Sequence, residues 1–380
     1  MPILRKFASP PKISSKKIGR AAAAGNLFAW GISNSEGQLG LNDTVTRSSP
    51  TQVGLLNDWK LPATGANFTI CTKKDGSLWS WGAGGNGRTG QNSSVATSSP
   101  VQIGALTNWD IPTNGENFCI VKKTDGTLWS WGYNGQGRLG RDYATSFSSP
   151  IQIGSDTNWA TPSSGGGGSV LCVKTTGALF VWGSNSNGQL GVNATTPRNA
   201  GPVQLGSLLN WSKPSNGAST SMCVKTDGTL WMWGKNSAGQ LGQNDTTNTS
   251  SPVQVGSLTD WAIPSTYNSA FATNISAVCL KTNGSLWAWG NNSYGQLGLG
   301  DAISRSSPTQ VGALTNWAIP SAGDRFTLCT KTDGTLFGWG YGPNIGDGTT
   351  LSKSSPVQIG TLTNWLNPSA GENHVICSQL

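Results

Sequence analysis

Along the chain, apolar and polar residues alternate over short runs, and no stretch carries the three-to-four residue spacing of an amphipathic helix. The segment from Phe326 to Trp339 shows the pattern. A run containing Cys329 and Lys331 reaches Asp333-Gly334, and Leu336-Phe337-Gly338-Trp339 follows. Alternation around Asp-Gly is a strong hairpin signal and predicts a two-residue type I′ turn, which needs positive φ. Asp75-Gly76, Asp125-Gly126 and Asp227-Gly228 repeat it, with Thr176-Gly177 and Asn283-Gly284 as variants. On the second strand of such a hairpin Trp79 and Trp81 share one face, and Leu78 and Ser80 the other. A glycine-rich turn comes next, as in Gly188-Gln189-Leu190-Gly191. Short strands are then expected after Ser-Pro (Pro252 to Val255) and around Trp261 to Ile263. Four short strands in about 50 residues describe one blade of a propeller.

The unit recurs. Trp-Gly stands at Trp30, Trp81, Trp131, Trp182, Trp233, Trp289 and Trp339, with gaps of 51, 50, 51, 51, 56 and 50 residues. A second tryptophan, after Asn or Asp, recurs at Trp59, Trp109, Trp159, Trp211, Trp261, Trp317 and Trp365. Trp79, Trp129, Trp231 and Trp287 fill a third slot, which holds Phe28, Phe180 and Phe337 elsewhere. Cysteine is periodic too: Cys71, Cys172, Cys223, Cys279, Cys329 and Cys377 share one slot, while Cys119 lies two residues early and faces the same way on a strand.

Repeat starts fall near residues 25, 76, 126, 177, 228, 284 and 334, giving an all-β, seven-bladed β-propeller over 25–380. The last unit stops at Val375-Ile376-Cys377-Ser378-Gln379-Leu380 without its partner strand, and that strand stands at the other end as Leu27-Phe28-Ala29-Trp30. Leu27, Phe28, Trp30, Val375 and Cys377 are therefore the expected ring-closing residues, and pairing of the N- and C-terminal strands removes two unpaired edges. Residues 1–24 form a separate, extended N-terminal arm.

In the middle of each unit, Trp182-Gly183 through Gly191 and Trp289-Gly290 through Gly298 reproduce Trp-Gly-x-Asn-x-x-Gly-Gln-Leu-Gly in full. On these residues the chain resembles the RCC1-repeat family, whose units also carry Gly-x-x-His, Asp-Gly and Pro-x-x-Val and which forms seven-bladed propellers. The family's histidine survives only in Gly371-Glu372-Asn373-His374; Phe68, Phe118, Ser169, Thr220, Ser276 and Phe326 occupy that slot elsewhere. The last unit's glycine motif is reduced to Asn344-Ile345-Gly346-Asp347-Gly348. The Asn-Trp segments are more similar to RCC1-like repeats of bacterial and bacteriophage proteins than to the eukaryotic nuclear member. The nuclear type is an exchange factor for a small GTPase and binds chromatin, but no exchange-site residue can be matched here.

Composition narrows the chemistry. Charged residues are 11% of the chain and there is one histidine, which leaves little material for acid–base or metal catalysis. No apolar run approaches the length of a spanning helix, and no apolar segment near Met1 suggests a signal peptide. The expected location is therefore cytoplasmic or a virus particle. The net charge of +8 is concentrated in the arm, where Arg5, Lys6, Lys12, Lys16, Lys17 and Arg20 occur without an acid. A nearly neutral body argues against a specific nucleic-acid site and leaves the arm to dock on an acidic protein surface or bind nucleic acid nonspecifically.

Each sharper reading has a plainer rival. The Trp-Gly indoles could be platforms for sugars or bases, but filling the wedges between blades explains them better. The Asn-Trp series is placed nearer a loop and is read first as structural, with a glycan-binding ring on one face as the rival reading. Seven cysteines are an odd number, each in its own repeat, and read as core filler in a reducing compartment. The Asp-Gly aspartates lack calcium-loop spacing, Gly165–Gly168 lacks a phosphate-loop context, and His374 has no partner implied by spacing. Two features break the repeat: the arm, and a longer loop in unit five in which Tyr267, Asn268, Phe271 and Asn274 are candidate binding residues. The expectation is a non-enzymatic interaction propeller without cofactor or metal, fixed by its arm to a larger assembly such as a bacteriophage virion. A host-surface glycan or protein would be a second partner. The alternatives are an exchange factor or chromatin adaptor, and a lectin.

Overall fold

The structure is a computed structural model that describes residues 23–141, 145–266 and 275–380. Within them, 28 strands and three single-turn 3-10 segments form seven four-stranded antiparallel sheets. Blade 1 comprises Trp59–Thr64, Phe68–Lys73, Leu78–Gly82 and Thr97–Gln102. Blades 2 to 6 repeat this order from Trp109, Trp159, Trp211, Trp261 and Trp317. The strands expected near Pro252 and Trp261 are the fourth strand of blade 4, Thr249–Gln254, and the first of blade 5, Trp261–Thr266. Their prolines, Pro252 and Pro264, sit on the two edge strands of a sheet, where a missing N–H breaks no interior ladder.

Blade 7 joins the two ends of the chain. Trp365–Ala370 and His374–Gln379 pair with Asn26–Gly31, and Arg47–Gln52 lies outermost. The register sets Leu27 opposite Ser378, Phe28 opposite Cys377 and Trp30 opposite Val375. First strands of successive blades pack on one another around the whole circle, the seventh onto the first, so they line the axis. Along this inner ring a hydroxyl of one blade accepts the backbone N–H of the next. Thr113 serves Ser164, Ser163 serves Asn216, Ser215 serves Thr266, Ser265 serves Ala322, Ser321 serves Ala370 and Ser369 serves Thr64, at 2.9 to 3.1 Å. Ala63 has no hydroxyl, and there the Asn114 amide donates to the Ala63 carbonyl at 2.8 Å instead.

The apolar core is likewise a ring, of seven clusters that each straddle a blade boundary. At the first, Phe68, Ile70, Leu78 and Ile103 of blade 1 enclose Trp109, Cys119, Val121 and Trp131 of blade 2. The early cysteine and the Val121 that replaces it thus face one cluster. At the closing boundary Leu27, Leu39 and Ile376 of blade 7 meet Trp59, Cys71 and Trp81 of blade 1.

The Asp-Gly hairpins depart from the sequence expectation. Gly76 N–H bonds the Lys73 carbonyl, Lys73 N–H bonds the Ser77 carbonyl, and φ is positive at Gly76 (81°) but not at Asp75. This is a three-residue loop with a left-handed glycine, not a type I′ turn. The aspartate's own bonds explain the preference: Asp75 Oδ1 accepts from Ser77 N–H at 2.8 Å and from Ser77 Oγ at 2.7 Å. Among the described residues no helix is long and apolar enough to cross a membrane.

Candidate functional site

The Trp-Gly tryptophans are fully buried and hold the blades together. Each indole Nε1 donates to a backbone carbonyl of the preceding blade at 2.9 to 3.1 Å: Trp81 to Gln38 at the closing boundary, Trp233 to Gln189, Trp289 to Gln240 and, between blades 6 and 7, Trp30 to Asn344. The acceptor lies in the Gly-Gln-Leu-Gly turn, whose last glycine leaves room for the ring. A Cβ on Gly40 would come within 2.6 Å of Trp81 Nε1. The reduced motif of the last unit keeps both parts, the Asn344 carbonyl and Gly346 against Trp30. The wedge reading of these indoles is what the structure shows.

The structural reading of the Asn-Trp series holds, and only its placement near a loop is corrected. These tryptophans open the innermost strands and are only 2–3% exposed, so they form no aromatic platform on a face. Trp59 meets Trp79 and Trp81 edge to face at 5.9 and 5.8 Å. The Nε1 groups of all seven, Trp59 through Trp365, are buried without a hydrogen-bond partner among the described residues. Sequence reasoning missed what lies over them. Lys73, Lys123, Lys174, Lys225, Lys281 and Lys331 each place Nζ 3.8 to 5.0 Å from the centroids of two aromatic rings. The signal was legible, since each lysine stands two residues after the cysteine slot. Lys73 and Lys281 also pair with Asp58 and Asp260 at 3.4 and 3.2 Å. Where Asn108 and Asn210 replace the aspartate, burial pulls the Lys123 and Lys225 ammonium groups below their usual range.

The remaining chemical candidates are structural. All seven cysteines are buried free thiols, and burial pushes Cys223 up to about 12, so none is a ready nucleophile. His374 is fully buried with Nε2 3.0 Å from Thr69 Oγ1 of blade 1, and burial lowers its pKa to about 4. The same Thr69 hydroxyl donates to the Gln38 carbonyl, so the imidazole completes the closing boundary. Gly165–Gly168 is a tight turn, with Gly168 N–H on the Gly165 carbonyl at 3.0 Å.

Antiparallel strands put the loops after first and third strands on one face of the disc, and the Asp-Gly hairpins with the inter-blade links on the other. Charge on the first face is uneven. The Arg325 guanidinium lies 5.4 and 5.5 Å from the Tyr294 and Tyr341 rings and pairs with Asp324 at 2.8 Å. Arg138 stacks 4.8 Å from Tyr133, with Nε on the Gly135 carbonyl. Burial, with Asp324 and Glu116 nearby, lifts the Glu372 carboxyl to about 7 against the pull of Arg325. These side chains come from blades 2, 5, 6 and 7, and tyrosine with arginine is the pairing typical of binding hot spots. Arg5, Lys6, Lys12, Lys16, Lys17 and Arg20 of the arm, and Tyr267, Asn268, Phe271 and Asn274 of the blade 5 loop, lie outside the described residues.

The same architecture recurs in solved structures. Prp20p from Saccharomyces cerevisiae superposes with a TM-score of 0.83 at 18% identity, over 95% of this chain and 92% of that one. Human WBSCR16 gives 0.80 at 19%, over 94% and 99%. Among curated relatives, the ultraviolet-B receptor UVR8 of Arabidopsis thaliana is 31% identical over 177 residues, 45% of this chain and 39% of that protein. The human E3 ubiquitin-protein ligase HERC2 is 26% identical over 181 residues, 47% of this chain but 4% of its own length. The matched segments therefore span well under half of either relative. The family model of the regulator of chromosome condensation (RCC1) repeat fits residues 24–72, 125–173, 176–224, 227–263 and 283–330, more than half of the chain. Seven blades joined by buried indoles and closed by the two terminal strands are thus the work of RCC1 repeats, and the chain belongs to that family.

Proposed function

We propose that this chain is a non-catalytic interaction propeller, a rigid disc that residues 1–24 fix to a larger assembly. The observation that carries the reading is the fate of the repeated polar groups. The Trp-Gly indoles, the inner hydroxyls and the hairpin aspartates are each engaged within the ring. What sets one sector of the disc apart from another is what breaks the sevenfold pattern: the acid-free basic arm, the longer blade 5 connection, and the Tyr–Arg cluster. The matched segment is a small part of HERC2, so ligase activity gives no guide to this chain. The more specific reading is a bacteriophage virion component, used for decoration or host-surface adhesion; its support is the Asn-Trp style of repeat.

The test is affinity purification of the full chain and of a variant lacking residues 1–22 from the native source, with mass spectrometry of what co-purifies. The full chain is expected to carry structural proteins of a particle and the shortened chain to lose them while keeping its melting temperature. Equal recovery by both overturns the role of the arm. Accelerated nucleotide release from a small GTPase would instead favour the exchange-factor reading.

A further inference from the structure

Among the described residues, at least five blade boundaries carry the same crevice on the rim, of 310 to 520 Å³. This lies at the lower end of the range for small-ligand pockets. At the boundary of blades 1 and 2 the walls are Leu106, Trp109, Trp129 and Pro150, with Asn92 and Gln102 as the polar groups. Equivalent residues recur at boundaries 7/1, 3/4, 4/5 and 5/6. Leu56, Leu106, Leu208, Leu258 and Leu314 are each 47–50% exposed, with Leu362 the sixth in this recurring slot, and Leu55 and Leu209 add further exposed leucine on two of the links.

The polar groups have spare capacity of one kind. Asn42, Asn92 and Asn244 are held in the left-handed region, with Oδ1 accepting a serine hydroxyl of the next blade at 3.0 to 3.2 Å, which leaves their Nδ2 donors uncommitted. Gln52, Gln102 and Gln204 line crevices with side chains that make no hydrogen bond among the described residues. Trp59, Trp109, Trp211, Trp261 and Trp317, one per crevice, each carry a buried N–H without a partner among the described residues. The indole N–H groups of Trp79, Trp129, Trp231 and Trp287 are already bound to Ser77, Thr127, Thr229 and Ser285, so those rings offer only apolar surface. Three of the crevices have no charged lining residue; the other two include Lys225 or Lys331, each folded over an aromatic ring at 3.9 Å.

Apolar walls with amide donors, and no exposed charge, suit a ligand that has a C–H face and a hydroxyl edge. The geometry points to a neutral pyranose sugar, one per crevice, bound weakly at each and tightly by the disc as a whole when the sugar is repeated on a surface. At the boundary of blades 2 and 3 the leucine slot differs. Asp156 stands in the leucine slot there and pairs with Lys174 at 2.6 Å, while Arg141 reaches across to the Gln152 carbonyl at 2.8 Å. The inference rests on the ring and not on the arm, so its failure would leave the assembly role standing.

The natural Asp156 supplies the test, because this fold already tolerates aspartate in the slot. The full chain is applied to immobilised glycans ending in neutral hexoses or N-acetylhexosamines, alongside sialylated and sulfated ones. A variant carrying Leu56→Asp, Leu106→Asp, Leu208→Asp, Leu258→Asp and Leu314→Asp is run beside it, with its melting temperature. Retention on at least one neutral glycan, competed by its methyl glycoside, and a loss of about 100-fold or more in the variant are expected. If that variant melts early, Gln52→Ala, Gln102→Ala and Gln204→Ala, at side chains that make no hydrogen bond among the described residues, give the same reading with a smaller loss. Retention on charged glycans alone, on none, or unchanged by the substitutions overturns the proposal.

Discussion

His374 shows how one residue acquires a role that its type does not announce. Buried against Thr69, its imidazole has a folded pKa of about 4 against 6.5 for the free group. A depressed value means that the folded state binds the proton less readily, so its contribution is complete above pH 6.5 and is lost as pH falls toward 4. Between pH 7 and pH 4.5 this amounts to about 2 kcal/mol. Urea unfolding of the native chain should therefore lose about that much more stability over this interval than unfolding of His374→Asn. Equal losses would show that the imidazole is not held neutral. Glu372, raised to about 7, acts in the opposite sense and cancels in the comparison, since both proteins keep it.

Among the elements, the Gly-Gln-Leu-Gly turn bears the closest fit. Gly191 and Gly206 both have positive φ, 73° and 61°, but a Cβ on Gly191 would lie 2.8 Å from Trp233 Nε1 whereas one on Gly206 would meet nothing within 4 Å. Gly206→Ala is expected to cost about 1 kcal/mol from backbone strain alone. Gly191→Ala should cost about 3 kcal/mol or more, because the indole must also move. Thermal or urea unfolding of the two variants checks the difference. Elements of this kind were largely legible beforehand. Period-two alternation with Asp-Gly gave the hairpins, and the Trp-Gly spacing gave the blades. The turn type was not legible, because a type I′ turn and a three-residue loop both place glycine after aspartate; the Ser77 hydroxyl that favours the second acts two residues away. Nor was the setting of Trp59. Its link to the preceding strand reads as loop, yet the indole lies under Lys73 of the neighbouring strand and packs on Leu27 and Leu39 of blade 7, contacts fixed only by strand register and blade stacking.

For the whole molecule, the closing blade is the decisive structure. Deleting Val375–Leu380 removes the partner of Asn26–Gly31 and leaves the Trp30 boundary incomplete. The shortened chain should aggregate and melt earlier; a monodisperse product with unchanged melting, seen by sedimentation and calorimetry, would contradict the closure. The circle was readable from repeat counting, while the rim crevices were not. They arise from three separated stretches of two adjacent blades, and no single stretch marks them.

The inner clasp of hydroxyls and the outer clasp of indoles both point the same way round, each blade leaning on the one before it. An open solenoid can fray from a terminal unit and lose its members in turn. A bracelet of this design has no such starting place: prying out any member strands an indole on one side and a bare carbonyl on the other. Such a protein survives intact or fails at once, a useful property for a durable mount that must hold its cargo at fixed angles.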